Sequence, residues 1–411
     1  MREILHAGAM PAAALAACLL AVPPSAQAAD QTPDAAQKPS LAQADQVPHL
    51  EGTDEPAPGT GTGMTWGARL LVTLQSDQTL NSSGGVKPFN NTYSEPELES
   101  FVNFGKHFAL NSLVKMEQVR SVSESSAFRA EGAYIEQLYA VATFNPVEIY
   151  GGKIHPRFAK GWDVTPGLYG TDFDEDYELT EKIGVGGAVT ANFFGTHTLS
   201  VESFFNDTTF LSNSLFSRPS INDSDVLRPG HARHTDGGAG NTETLDNFDV
   251  VLEGADLPHL KGVTYNLGWS RQKHGTSEEK NENAYVAGLA WEYALTEAIK
   301  IIPMFEYAHV SNQGGADISV DYVTFAIGAD LGQGWSASAH ATIRPVEDHA
   351  ANDDYTDHLV GFSVGYDLGA RLKKLAPLLE GLGVEAGYKH ERVARENLYT
   401  IGAVLTYERK F

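Results

Sequence analysis

From Trp66 onward, apolar residues alternate with small or polar ones. The first run places Trp66, Ala68, Leu70, Val72 and Leu74 on one side of the chain, and similar runs recur at 263–270, 285–293, 335–344 and 399–407. A period of two predicts β-strands with one apolar face. Strands of soluble sandwiches usually have about five or six residues, whereas these runs reach nine to eleven. That length is typical of a tilted strand that crosses a bilayer.

Sixteen such runs can be marked, and the connections between them alternate between short and long. This pattern predicts an all-β fold, a transmembrane antiparallel β-barrel of 16 strands, because a closed barrel leaves no unpaired strand edge in lipid. The connection 369–382 departs from it, and we expect an extra helical turn there. The predicted strands begin near Thr65, Ser94, Leu110, Tyr134, Val147, Glu178, Thr198, Phe248, Val263, Asn283, Ala298, Val320, Trp335, Leu359, Gly383 and Asn397.

The chain divides into three parts. Residues 1–29 are predicted to form an export signal peptide, with Arg2, an apolar run and a small-residue cleavage site before Ala29 or Asp30. An alternative is a lipoprotein signal, in which Cys18 would become the lipidated first residue. Residues 30–63 are rich in Pro, Ala and Gln and predict a disordered linker or tail, or else a segment that enters the barrel lumen. Residues 64–411 form the barrel.

Composition excludes several classes of function. With 53 acidic and 29 basic side chains the net charge is −24, which would repel nucleic acid. The single cysteine, Cys18, permits neither an intrachain disulfide nor a cysteine zinc site. Asp172, Asp174 and Asp176 have the spacing of a calcium loop, but Tyr177 stands where the sharp turn requires glycine. We therefore expect no cofactor and no resident metal.

These features together resemble a Gram-negative outer-membrane porin of the general-diffusion type. The last five residues, Tyr407 to Phe411, resemble the signal read by the barrel-assembly machinery, with Phe411 as the terminal aromatic residue and Arg409 at a position where porins commonly have an aromatic one. The resemblance implies an outer-membrane location, contacts with lipid and lipopolysaccharide, passage of small hydrophilic solutes and a possible homotrimer.

The resemblance also implies that the loop after the fifth strand folds into the barrel and narrows it. Exposure at the outer surface is the alternative, although a long loop with its own apolar residues is usually functional. In the constriction its acids would face bases of the loop and the wall and create a transverse field. The candidate constriction residues are Arg157, Lys160, Asp163, Asp172, Asp174, Glu175 and Asp176.

If the apolar faces point to lipid, the charged residues of the opposite faces line the pore. Acids outnumber bases among them, and rings of charged side chains set the ion preference of wide pores, so we predict a modest preference for cations. The candidate pore-lining residues are Arg69, Lys115, Glu117, Lys182, Glu202, Asp249, Glu253, Glu292, Glu306, His340, Arg344, Asp367, Glu385 and Lys389.

Other functions remain open to different degrees. A substrate-specific porin, for iron chelates or sugars, is an alternative that the pattern does not separate from general diffusion. An outer-membrane hydrolase is disfavoured, since no Gly-x-Ser-x-Gly motif occurs. An energy-coupled transporter would need a plug domain, which the 34 residues from 30 to 63 are too few to form.

Overall fold

The computed structural model describes residues 63–83, 87–119, 124–218, 234–276, 279–372, 374 and 377–411. Sixteen long antiparallel strands form one sheet that closes on itself, so the predicted fold is confirmed. The strands are β1 Met64–Ser82, β2 Phe89–Phe104, β3 Phe108–Gln118, β4 Glu131–Phe144, β5 Val147–Ile154, β6 Lys182–Asn192, β7 Thr196–Asn206, β8 Asn247–Ala255, β9 Val263–Gln272, β10 Glu282–Trp291, β11 Lys300–Ser311, β12 Ile318–Gly332, β13 Trp335–Asp348, β14 Asp353–Asp367, β15 Leu382–Val393 and β16 Glu396–Lys410.

The first and last strands close the barrel. β1 pairs with β16 from Arg69 opposite Lys410 to Ser82 opposite Leu398. The C-terminal residue continues this seam, because the Phe411 N–H donates to the Ala68 carbonyl at 2.8 Å. Every wall strand therefore has a neighbour on both sides, which is the condition for placing a sheet in hydrocarbon.

Large aromatic side chains mark one rim of the barrel. Phe104 and Phe108 flank the turn between β2 and β3, and Phe193 and Phe194 lie in the turn between β6 and β7; all four are at least half exposed. Trp335 begins β13 after another short turn and is 49 % exposed. Such residues are typical of a girdle at a membrane interface.

Several predicted long loops are shorter than expected, because the strands continue beyond the apolar runs. β13 reaches Asp348 and β14 starts at Asp353, which leaves four residues where the sequence predicted thirteen, from 345 to 357. Extending a hairpin satisfies its backbone groups even where the side chains are polar. Conversely, β6 begins at Lys182 rather than Glu178.

Short helical turns and short β-strands lie in the connections between the wall strands. Gly369–Leu372 forms the helical turn expected between β14 and β15. Ser126–Ala127 adds a parallel bridge to β2, and Phe216–Arg218 pairs with the start of β4. No helix among the described residues is long and apolar enough to cross a membrane. The signal peptide, Cys18 and the tail up to residue 62 lie outside the described residues.

Candidate pore constriction

The connection between β5 and β6, residues 155–181, folds into the barrel, and we name it the constriction loop. It contains one helical turn, α1 (Gly161–Val164), and a 3₁₀ turn at Asp174–Tyr177. Its tip reaches the far side of the barrel, where the Tyr169 hydroxyl donates to Asp77 of β1 at 2.6 Å. The loop therefore crosses the lumen from β5 to the seam strand.

An apolar patch on the inner wall receives the loop. Phe158 and Phe173, exposed by no more than 1 %, pack in one cluster with Val286 of β10, Val310 of β11 and Tyr322 of β12. These wall positions interrupt the expected rule of an apolar outside and a polar inside. Burying two phenylalanine side chains stabilises the docked loop by roughly 3–6 kcal/mol before entropy is counted.

A buried carboxylate caps the first turn of the loop. Glu306 of β11 accepts the backbone N–H of Gly161 at 2.7 Å and that of Lys160 at 3.1 Å. The hydroxyl of Tyr177 and the amide of Asn266 donate to the same carboxylate at 2.9 and 3.1 Å. Glu306 thus holds both ends of the loop against the wall.

Glycine is required where the loop presses on the opposite wall. Gly167 has φ of +110°, and a Cβ there would lie 2.6 Å from Ser338 Oγ and 3.2 Å from the Nδ1 atom of His340. His340, predicted to line the pore, is therefore covered by the loop and is 4 % exposed.

Three acids of the loop bind the wall directly. Asp172 accepts from Lys389 Nζ at 2.6 Å, and Asp176 contacts the guanidinium of Arg344. Asp174 is fully buried and accepts the hydroxyls of Thr324 and Thr165 at 2.7 and 2.9 Å. This arrangement differs from the expected one, in which these acids faced bases across open water. They fix the loop instead.

The two bases at the start of the loop are also paired. Arg157 Nη2 lies 2.7 Å from Glu148 Oε1, and its guanidinium lies over the ring of Tyr150. Lys160 Nζ lies 2.8 Å from Glu253 Oε1 of β8. Neither base therefore offers an uncompensated positive charge to the lumen.

Several acidic residues of the loop lie near acidic residues of the wall. On the loop, Asp163 and Glu175 are exposed. Glu175 lies close enough to Glu95 of β2 for the two carboxylates to repel each other, and the same holds for Glu178 and Glu136 of β4.

One lysine sits within the acidic wall. Lys115 Nζ of β3 lies 3.7 Å from Glu117 and Glu136 and 4.0 Å from Glu97. Lys115 and Glu117 were predicted to line the pore, but the acids of β2 were not. Glu95, Glu97 and Glu99 occupy alternate positions of the sequence, which indicates that they share one face of the strand.

The other predicted pore-lining residues lie on inward positions of their strands, and all but Asp249 have local partners. Arg69 pairs with Glu99 at 2.9 Å and Glu408 at 3.2 Å, and Lys182 donates to Asn206 at 2.7 Å. Glu385 accepts the hydroxyl of Ser363.

Two of them lie at strand ends rather than in mid-barrel. Glu292 follows β10 and pairs with Lys300 at 2.5 Å, and Asp367 ends β14, where its carboxylate caps the N–H of Ala370. Their part in permeation stays a prediction, as does that of the residues deeper in the lumen.

Several tyrosines point inward from the wall. Tyr134, Tyr139 and Tyr150 are 2–3 % exposed, and Tyr150 donates to Glu202. Because they are buried among wall side chains, they form no exposed aromatic track of the kind that a sugar would slide along.

The docking of the loop should depend on pH through Asp174. Burial raises the pKa of this carboxyl from an ordinary 3.8 to about 7, and nearby Glu306 adds to the shift, while hydrogen bonds from Thr324 and Thr165 oppose it. A raised pKa means that the docked state holds the proton more tightly, so its stabilisation is full below about pH 4 and declines as the pH rises through about 7.

We therefore expect the melting temperature of the barrel to fall between pH 5.5 and pH 8, and to fall less in the Asp174→Asn variant. Thermal unfolding followed by circular dichroism at the two pH values measures both. The exposed Asp236→Asn substitution, in an outer loop, should leave the wild-type slope unchanged. Equal slopes for wild type and Asp174→Asn would contradict this assignment.

Comparison with solved structures identifies the class of barrel. The outer-membrane channel DcaP of Acinetobacter baumannii matches with a TM-score of 0.51 and 10% identity, over 84% of this chain and 98% of that one. OccAB3 of the same organism matches with 0.49 and 12%, over 84% and 99%, and OmpT of Vibrio cholerae, in its trimer form, with 0.47 and 11%, over 85% and 100%. The chain thus has the fold of a Gram-negative outer-membrane porin. No protein-family model and no curated protein matches its sequence.

Proposed function

We propose that this protein is an outer-membrane porin, a water-filled channel through which small hydrophilic solutes diffuse passively, with a modest preference for cations. The observation that carries the ion preference is the pairing of charges in the lumen. Lys389 and Arg344 bind acids of the constriction loop, whereas Glu175 is exposed on the loop and lies near Glu95 of the wall.

The charge distribution gives the preference its physical basis. A cation in the passage lies between two acidic surfaces, and a narrow aqueous path with low-dielectric walls focuses their field. Lys115 offsets part of this charge but is itself surrounded by three glutamates. The net effect favours cations without excluding anions, which suits general diffusion rather than a single substrate.

Reversal potentials test the proposal. The refolded barrel in a planar bilayer, under a tenfold KCl gradient, should show discrete conductance steps and a reversal potential of the sign for potassium. An intact barrel without conductance would contradict the channel, while an anion-selective potential would contradict only the ion preference. Addition of a sugar or an iron chelate should leave the current unblocked; block at low concentration would favour the substrate-specific alternative.

The partners follow from the same function. The exposed aromatic rim suits contact with outer-membrane lipid and lipopolysaccharide, and Phe411 suits recognition by the barrel-assembly machinery. A homotrimer is supported by polar groups on the outer face, where Ser76 and Thr92 share a hydrogen bond of 2.9 Å and Ser100 and Ser112 one of 2.7 Å. Light scattering of the detergent-solubilised protein checks the number of chains, and a mass of one chain would overturn the trimer.

A further inference from the structure

The wall beneath the start of the constriction loop holds more buried negative charge than its bases neutralise. Arg157 is committed to Glu148 and Lys160 to Glu253, as described above. Two further carboxylates in this region, Glu202 of β7 and Asp249 of β8, are 1 % and 0 % exposed. They leave about two negative charges without a cationic side chain of their own, a costly arrangement away from water.

Glu202 and Asp249 face each other directly. They are register partners on the paired strands β7 and β8. Glu202 accepts the hydroxyl of Tyr150 and, at 3.2 Å, the backbone N–H of Arg157. By contrast, no donor in the described part of the chain reaches either oxygen of Asp249 with hydrogen-bonding geometry.

Two buried hydroxyls adjoin the carboxylates. Ser270 of β9 is the register partner of Asp249 on its other side, and Ser200 lies two residues before Glu202 on the same face of β7. They are 1 % and 0 % exposed, and within the described ranges neither hydroxyl oxygen has a hydrogen-bond partner. Phe158 of the loop packs against Gly268, two residues before Ser270 on the same face of β9.

We propose that Glu202, Asp249, Ser270 and Ser200 form a buried site for one divalent cation, and that the cation is calcium. The two carboxylates supply the charge that a divalent ion neutralises, and every candidate ligand is an oxygen. Calcium accepts six to eight oxygen ligands in irregular geometry, whereas magnesium demands a near-ideal octahedron and retains water.

The donor set differs from the usual metal centres. Among the described residues, no three His, Cys, Asp or Glu side chains are arranged to hold a metal ion. The proposed site uses two carboxylates and two hydroxyls instead. A bound ion joins β7, β8 and β9, and because Glu202 also accepts the N–H of Arg157, it stabilises the start of the constriction loop.

Calcium binding to the whole barrel tests the proposal. The protein is purified in detergent without lipopolysaccharide, stripped with EDTA and dialysed against CaCl₂. The wild type should bind about one calcium ion more than Asp249→Asn, and calcium should raise the melting temperature of the wild type but not of the variant. Ser270→Ala should lower the affinity without abolishing binding. Glu292→Gln, at the strand end where Glu292 pairs with Lys300, is the matched control and should bind as the wild type does.

Other outcomes have distinct meanings. Equal calcium binding by wild type and Asp249→Asn overturns the site and assigns the calcium to surface acids. A melting temperature of the wild type that does not respond to calcium overturns the site, and if Asp249→Asn then weakens the pH response, the two carboxyls share a proton instead. If the variants do not fold, terbium luminescence of the wild type decides: excitation through tyrosine, with Tyr150 bound to Glu202, should give emission that calcium suppresses, and no emission overturns the proposal.

Discussion

Replacing Glu175 by lysine should lower the ratio of cation to anion permeability on the order of tenfold. The charge at this position changes by two units, from −1 to +1, and each unit contributes about 0.5 kcal/mol at about 8 Å in water. The same change that disfavours a cation favours an anion, so the two effects multiply in the ratio. Glu175 is exposed on the loop and acts on Glu95 opposite, which places it at the passage itself.

The measurement is the reversal potential of single channels in a KCl gradient at low ionic strength, where screening is weakest. Glu175→Gln, which removes one charge, should produce about half the shift in free energy. Glu292→Gln removes the same charge at a strand end and should change the selectivity far less. An unchanged selectivity in Glu175→Lys would show that the ions pass elsewhere.

The barrel could be predicted because lipid and water act on every residue of a strand. Successive side chains of a wall strand point alternately to hydrocarbon and to the inside of the barrel. The alternation of apolar and polar residues at Trp66–Leu74 therefore shows which side chains face lipid. Closure followed from the same argument, since an open edge in lipid is excluded. The ends of the strands were predicted less well, because polar residues above the membrane, as in 345–348, continue a hairpin without an apolar signal.

The wall residues that the constriction loop contacts could not be predicted in the same way. The ion pair of Asp172 with Lys389 joins residues far apart in the chain, and no local periodicity encodes such a contact. One signal was nevertheless present. Val286, Val310 and Tyr322 are apolar or aromatic on the inward parity of their strands. An apolar patch inside an aqueous lumen needs a cover, and the loop with its own aromatic residues supplies it.

The effect of a charged residue in the lumen therefore depends on whether it is paired with an opposite charge, and not only on its sign. Arg344 and Lys389 were predicted to line the pore, and they do lie on inward positions, but both are paired with acids of the loop. Of the loop acids, Glu175 is exposed, and we expect its carboxylate to contribute most to the field. Composition alone, which counts all acids and bases equally, predicts a preference for cations but not its location in the pore.

The most disruptive single substitution that we expect in the loop's anchorage is Arg344→Ala. This guanidinium contacts Asp176 of the loop, bonds Asp357 of β14 at 2.7 Å and lies 4.1 Å from the ring centroid of Phe173. The side chain of Arg344 is 7 % exposed and that of Asp357 only 1 %. Removal of the guanidinium therefore leaves the buried carboxylate of Asp357 without its cationic partner. Breaking a buried pair in this way costs about 3–5 kcal/mol.

The expected result is a released loop in a barrel that remains closed. Single-channel conductance should rise and become noisier, and the melting temperature should fall by several degrees, since the wall strands keep their backbone pairing. Arg344→Lys should give an intermediate effect, because it keeps the charge but not the fork that reaches two carboxylates at once.

Arg395 provides the matched control. It forms a comparable pair with Asp353 at the outer rim, with hydrogen bonds of 2.9 and 2.5 Å, but both side chains are about half exposed and neither touches the loop. Arg395→Ala should leave the conductance and the melting temperature unchanged, because exposed ion pairs contribute little to stability. If Arg344→Ala behaved like Arg395→Ala, the loop would have to be held by Glu306, the Asp172–Lys389 ion pair and its apolar contacts, without a contribution from Arg344.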